Sequence, residues 1–96
     1  MIVFQNPSTN SAVRVPLEIQ GTVQVPGLEQ YQVWYGVGDS PAAWEWVSGP
    51  HQFPVQDGLI TPVQLEWLPP GRYTLRLVVY GENGRSGGQI PFTIVP

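Results

Sequence analysis

The stretch Arg72-Tyr73-Thr74-Leu75-Arg76-Leu77-Val78-Val79-Tyr80 alternates with a period of two, so Tyr73, Leu75, Leu77 and Val79 share one face of a strand. Thr74, Arg76, Val78 and Tyr80 then take the other face. The same alternation places Leu17, Ile19, Gly21, Val23 and Val25 opposite Glu18, Gln20, Thr22 and Gln24, as in an interior, half-buried strand. Gly21 in its middle marks a bulge or the close approach of a large neighbour such as a Trp ring. The spacing predicts seven strands: Ile2 to Gln5, Leu17 to Val25, Gln30 to Val37, Trp44 to Ser48, Val63 to Trp67, Arg72 to Tyr80 and Gln89 to Val95. Residues 48 to 60 lack clear alternation and admit one further short strand near Gln52 to Val55.

Eleven Gly and eleven Pro leave no window long enough for a stable helix, because each Pro removes a ladder donor and fixes φ. Short strands between such punctuation define an all-β chain, a seven-stranded antiparallel sandwich. Asn83-Gly84, within the segment Gly81 to Gly88, suits a hairpin turn with positive φ. A length of 96 residues makes one domain, residues 1–96, with a single modest core. The core expected is Leu17, Ile19, Val23, Val33, Tyr35, Leu65, Tyr73, Leu75, Leu77, Val79, Phe92 and Ile94.

The chain has no cysteine, which excludes disulfides and thiolate metal sites. Seven acids against four Arg and no Lys give a net charge of −3, a poor match for nucleic acid. No apolar run approaches the roughly 18 to 20 residues that span a bilayer, and no charged segment followed by an apolar one opens the chain. The expectation is a mature or excised domain of a larger protein, with a cytosolic start as the alternative.

Catalytic constellations are sparse. The one His, His51, lies beside Gly49 and Pro50; a Ser/His/Asp group would need it with Asp39 or Asp57 and one of Ser8, Ser11, Ser40, Ser48 or Ser86. A solvated loop histidine is the expectation instead. Glu18 and Glu66 could share an outer sheet face, but a convex wet face is no glycosidase cleft. Asp39, Asp57 and Glu82 fall in separate loops without the spacing of a calcium site. Gly36-Val37-Gly38 precedes no helix and is no phosphate loop. No catalytic residue, metal or cofactor is expected.

The aromatic residues are more informative. If Tyr31, Val33 and Tyr35 face the core, Trp34 points outward, as do Arg76, Val78 and Tyr80, and Trp44 or Trp46 on the next strand can extend that patch. Such rings suit sugar stacking or a protein interface. Two arrangements are open, a free surface or one covered by the 48–60 segment.

Taken in order, Leu17-Glu18-Ile19-Gln20-Gly21-Thr22, Tyr31 to Gly38, Pro41-Ala42-Ala43-Trp44 and Leu68-Pro69-Pro70-Gly71-Arg72-Tyr73-Thr74-Leu75-Arg76-Leu77 form a pattern running from Val13 to Val95. It resembles the immunoglobulin-like or fibronectin type III-like module at the C-terminus of bacterial bifunctional penicillin-binding proteins and in other exported bacterial proteins. Modules of that kind often carry a longer Trp-Asp-Thr stretch before the Leu-Pro turn. Here Trp67 directly precedes Leu68, which puts Trp67 at a sheet end.

The resemblance implies an extracytoplasmic, non-catalytic accessory domain. Its partners would be a neighbouring domain of the parent, another envelope protein, or peptidoglycan. The alternative is a carbohydrate-binding or adhesin-like module. Neither nucleic acid nor membrane insertion is implied, and no Ser-x-x-Lys motif is present. The Leu68 to Tyr73 spacing is similar to a tyrosine corner, in which Tyr73 bonds back to backbone and Gly71 takes a turn conformation; the alternative is an ordinary core tyrosine.

Overall fold

In a computed structural model of the chain, residues 2–61, 65–82 and 84–96 are described. They form β1 (Ile2–Asn6), β2 (Ala12–Val13), β3 (Gln20–Val23), β4 (Gln30–Val37), β5 (Glu45–His51), β6 (Val55–Leu59), β7 (Gly71–Gly81) and β8 (Gly84–Ile94). The strands make two sheets, one ordered β1-β3-β6 and the other β2-β8-β7-β4-β5. The architecture is all-β, as the punctuation by Pro and Gly requires.

Apolar alternation decides which side of each strand faces in. Tyr73, Leu75, Leu77 and Val79 of β7 are buried against Tyr31 and Val33 of β4 and Ile90, Phe92 and Ile94 of β8. Ile19 and Val23, beside and within β3, meet them from the other sheet, with Leu17, Ile60 and Leu65. Of the expected core only Tyr35 is half-buried, its ring edge-on to Tyr73 with centroids 6.2 Å apart. The sheets are also tied by a polar contact, since the Tyr31 hydroxyl donates to the Ile60 carbonyl at 2.5 Å within the core.

Several details differ from the pattern-based expectation. Among the described residues eight strands stand against the seven expected, and the short β2 runs parallel to β8, pairing Ala12 with Thr93 and Val13 with Ile94. The second predicted strand narrows to β3, although Leu17 keeps a bridge to Leu65. Val63 and Gln64 of the predicted Val63–Trp67 strand lie outside the described residues, and Glu66 and Trp67 are not strand. Trp67, 53% exposed, stays out of the core.

The segment that pairs along β3 is the earlier β6, with Val55 opposite Val23 and Leu59 opposite Gln20. Ile60 then donates to the Ile19 carbonyl, and Leu65 makes an isolated antiparallel bridge with Leu17. Residues 48–60 are therefore largely strand, but at Val55–Leu59 rather than Gln52 to Val55.

β3 is the central strand of its sheet, but the bulge beside it lies on β6: from Gly21 to Val23 two steps along β3 match three along β6, from Gly58 to Val55. The neighbour close to Gly21 is backbone rather than a Trp ring: a Cβ there would lie 2.0 Å from the Val3 carbonyl oxygen. At the same bulge Thr22, expected outside, is buried, and its Oγ1 accepts the Asp57 amide at 3.1 Å. Thr74 is likewise buried instead of exposed, because its hydroxyl reaches the Gly38 carbonyl at 2.6 Å.

The tyrosine corner is present. The Tyr73 hydroxyl donates to the Pro69 carbonyl at 2.7 Å while its ring packs 6.0 Å from Phe92. Gly71 has φ of 159°, at the margin of extended backbone, and a Cβ added there would come no closer than 3.7 Å to the Tyr73 ring. Tyr73→Phe keeps the ring and removes the donor, so we expect a loss of about 1 to 3 kcal/mol, read as a lowered denaturation midpoint with unchanged slope. Burial, with a smaller contribution from Tyr35, pushes the Tyr73 hydroxyl pKa above its ordinary value.

Candidate functional site

The outer face of the five-stranded sheet is set by the register of β4 with its neighbours. Trp34 stands opposite Arg76 of β7 on one side and Trp46 of β5 on the other, while Gln32 faces Val78 and Gln30 faces Tyr80. Directly opposed residues share a face. Trp34, Trp44, Arg76, Val78 and Tyr80 consequently meet around one open hollow of about 180 Å³, completed by Gln32 and Arg85. Trp46 lies outside that lining, 55% exposed and beside Trp34.

Two contacts hold the rings. The Trp34 indole N–H donates to Gln32 Oε1 at 3.2 Å, which couples two side chains two residues apart on the same face of the strand. The Arg76 guanidinium lies over the Trp44 ring, 5.3 Å from its centroid, a cation–π contact. None of residues 48–60 lines the hollow; β6 belongs to the opposite sheet. Of the two open arrangements, the structure shows the uncovered one with respect to that segment.

A second hollow of about 220 Å³ adjoins the first, sharing Arg76, Val78 and Arg85 and extending over Ser86, Gly87, Gly88 and Gln89. Sequence reasoning missed this half, having begun the last strand at Gln89. The signal lay in the Asn83-Gly84 turn. Asn83 is outside the described residues, but Gly84 has φ of 98° and Gly81 pairs with Gly84, so the ladder runs on to place Arg85 opposite Tyr80. Gly87 is required by close approach, since a Cβ would fall 1.9 Å from the Leu77 carbonyl oxygen.

The histidine is not in a solvated loop. It ends β5, half-buried, with its ring 4.9 Å from that of Tyr31 and Nε2 2.9 Å from the Ser48 hydroxyl. A triad does not assemble around this pair: Asp39 bonds Arg72 at 2.6 Å and Asp57 accepts from Gln5. Ser48 itself is 4% exposed, closed to an attacking geometry. Glu18 and Glu66 are exposed next to the Leu17–Leu65 bridge, away from the aromatic hollow. Among the described residues no three His, Asp or Glu gather as a metal site.

Burial pushes the His51 pKa below its ordinary value of 6.5. A base with a lowered folded-state pKa contributes stability that is present above its unfolded pKa and is lost as pH falls through the folded one. We therefore expect the fold to weaken on acidification from about pH 7 to 5, and His51→Gln to flatten that limb in denaturation midpoints measured across the range. An unchanged acid limb in the variant would show that other groups set it.

No protein-family model matches the chain, and no curated protein matches it either.

Proposed function

We propose that the chain is a non-catalytic accessory module of a bacterial cell-envelope protein, of the immunoglobulin-like or fibronectin type III-like class found at the C-terminus of bifunctional penicillin-binding proteins. It acts outside the cytoplasm, docking a neighbouring domain of its parent, another envelope protein or peptidoglycan. The observation that carries the docking role is the open aromatic hollow on the outer sheet face, where Trp34, Trp44, Val78 and Tyr80 present large or apolar surface. Outward strand positions on a solvated antiparallel sheet are ordinarily polar. The class is supported by the strand order β1-β3-β6 and β2-β8-β7-β4-β5 and by the Tyr73 corner bond.

The test is titration with peptidoglycan fragments and with the domain preceding this one in its parent, followed by Trp fluorescence. Binding that Trp34→Ala weakens about 30-fold, the effect of losing an interface hot spot, is the expected result. If neither these partners nor a glycan perturbs the Trp signal, the face is not a docking site and the domain is a spacer. Direct glycan recognition is the second reading, favoured by one observation: the rings share their hollow with Arg76 and Arg85.

A further inference from the structure

Charge is distributed unevenly over this molecule. The chain is net acidic at −3 with only four Arg, yet two of them, Arg76 and Arg85, line both adjoining hollows, and neither lining includes an Asp or Glu. Arg72, by contrast, is engaged by Asp39 and by Asn10, and Arg14 donates to the Pro96 carbonyl. Among the described residues Arg76 and Arg85 make no ion pair. The outer face thus joins two guanidinium groups that make no ion pair, one of them lying over Trp44, to held aromatic rings, with Gln32, Ser86 and Gln89 as further hydrogen-bonding groups.

Resting on the reading of this face as a docking surface, we infer that its ligand is an extended anionic glycan, a sugar chain carrying carboxylates. Trp34 and Tyr80 would stack on sugar faces while Arg76 and Arg85 bind the carboxylates by charge-assisted hydrogen bonds. The shape favours a glycan over an acidic peptide. Each hollow is smaller than the roughly 300 to 1,000 Å³ of a pocket that encloses a compact ligand. Two shallow hollows in a row suit successive flat units of a chain. A peptide held by side-chain anchors needs a deep desolvated pocket, which this face does not offer; β2 pairs with β8 at Thr93 and Ile94, so among the described residues the β8 edge along 85–89 is open, and the poly-glutamate titration tests backbone pairing there.

Arg85 and Gln89 are exposed, so changing them leaves the core alone. Gln89 stands opposite Arg76, and Gln89→Glu sets a carboxylate beside that guanidinium without changing side-chain size. The experiment titrates the chain with a galacturonate oligosaccharide, a neutral cello-oligosaccharide and poly-glutamate, following Trp fluorescence and the indole N–H signals at low and high salt.

The expected result is binding of the galacturonate chain in preference to both others. Arg85→Gln and Gln89→Glu each weaken it about 10-fold, and salt weakens it further. Equal binding of the neutral glycan, or binding of poly-glutamate that shifts the Trp34 indole as strongly, overturns the ligand class while leaving the docking surface in place. No binding of any of the three also overturns the ligand class. The docking reading fails only if the parent-domain and peptidoglycan titrations are silent as well.

Discussion

Phe92→Ala is expected to cost about 3 to 5 kcal/mol, the range for emptying a fully buried aromatic site. Phe92 has no exposure and lies where the hairpin β7–β8 turns its inner face to the opposite sheet, directly opposite Tyr73. Its ring packs 6.0 Å from that of Tyr73, so truncation leaves a void beside the corner as well as removing apolar area. Small domains are stable by roughly 5 to 15 kcal/mol in all. The variant should therefore unfold at a much lower denaturant concentration, and a midpoint close to that of the unsubstituted chain would show that Phe92 is not a core residue.

Leu75→Ala should cost about 2 to 5 kcal/mol, whereas Arg76→Ala, one residue on, should cost far less. Leu75 is fully buried between Tyr35 on β4 and Ile90 on β8, its cross-strand partners. Arg76 is half-buried on the outer face and contributes through its contact with Trp44. The contrast tests the register itself, because a slip of one residue exchanges the two faces. Comparable losses in both variants would contradict the assignment of inner and outer faces. Chemical denaturation of the two proteins side by side decides it.

The parts of the fold legible in the sequence are those where a strand has one wet and one dry face. Tyr73 to Val79, Tyr31 to Tyr35 and Leu17 to Val23 all alternate, and alternation alone orients each of them. β6 is not legible because Val55-Gln56-Asp57-Gly58-Leu59 has neither alternation nor a run of strand formers, and Asp57 has φ of 51°. Pairing with β3 overrides local preference there. β5 runs on through Gly49-Pro50 to His51, a stretch that reads as a breaker. It is tolerated because β5 is an edge strand, where a missing N–H leaves no ladder partner waiting.

The candidate surface follows from the same logic. Once Val33 and Leu77 face inward, Trp34, Arg76, Val78 and Tyr80 must face out, and antiparallel pairing of β4 with β7 brings them together. Trp44 joins them from just before β5 through Arg76. Arg85 could not be placed without the hairpin register, which depends on how many residues the turn consumes. The buried Thr22 and Thr74 had no signal of their own, since each owes its burial to a backbone partner more than 30 residues away, as the Asp57 and Gly38 bonds show.

The central claim is that the outer face of the five-stranded sheet is a docking surface. Its most direct measurement is a two-dimensional amide and indole NMR titration of the chain with peptidoglycan fragments and with the preceding domain of the parent. The account predicts that the indole signals of Trp34 and Trp44 and the amides of Gln32, Val78, Tyr80 and Arg85 move together, while Trp67 and the β1-β3-β6 sheet stay still. Shifts confined to Trp67, or to residues of the three-stranded sheet, would contradict it.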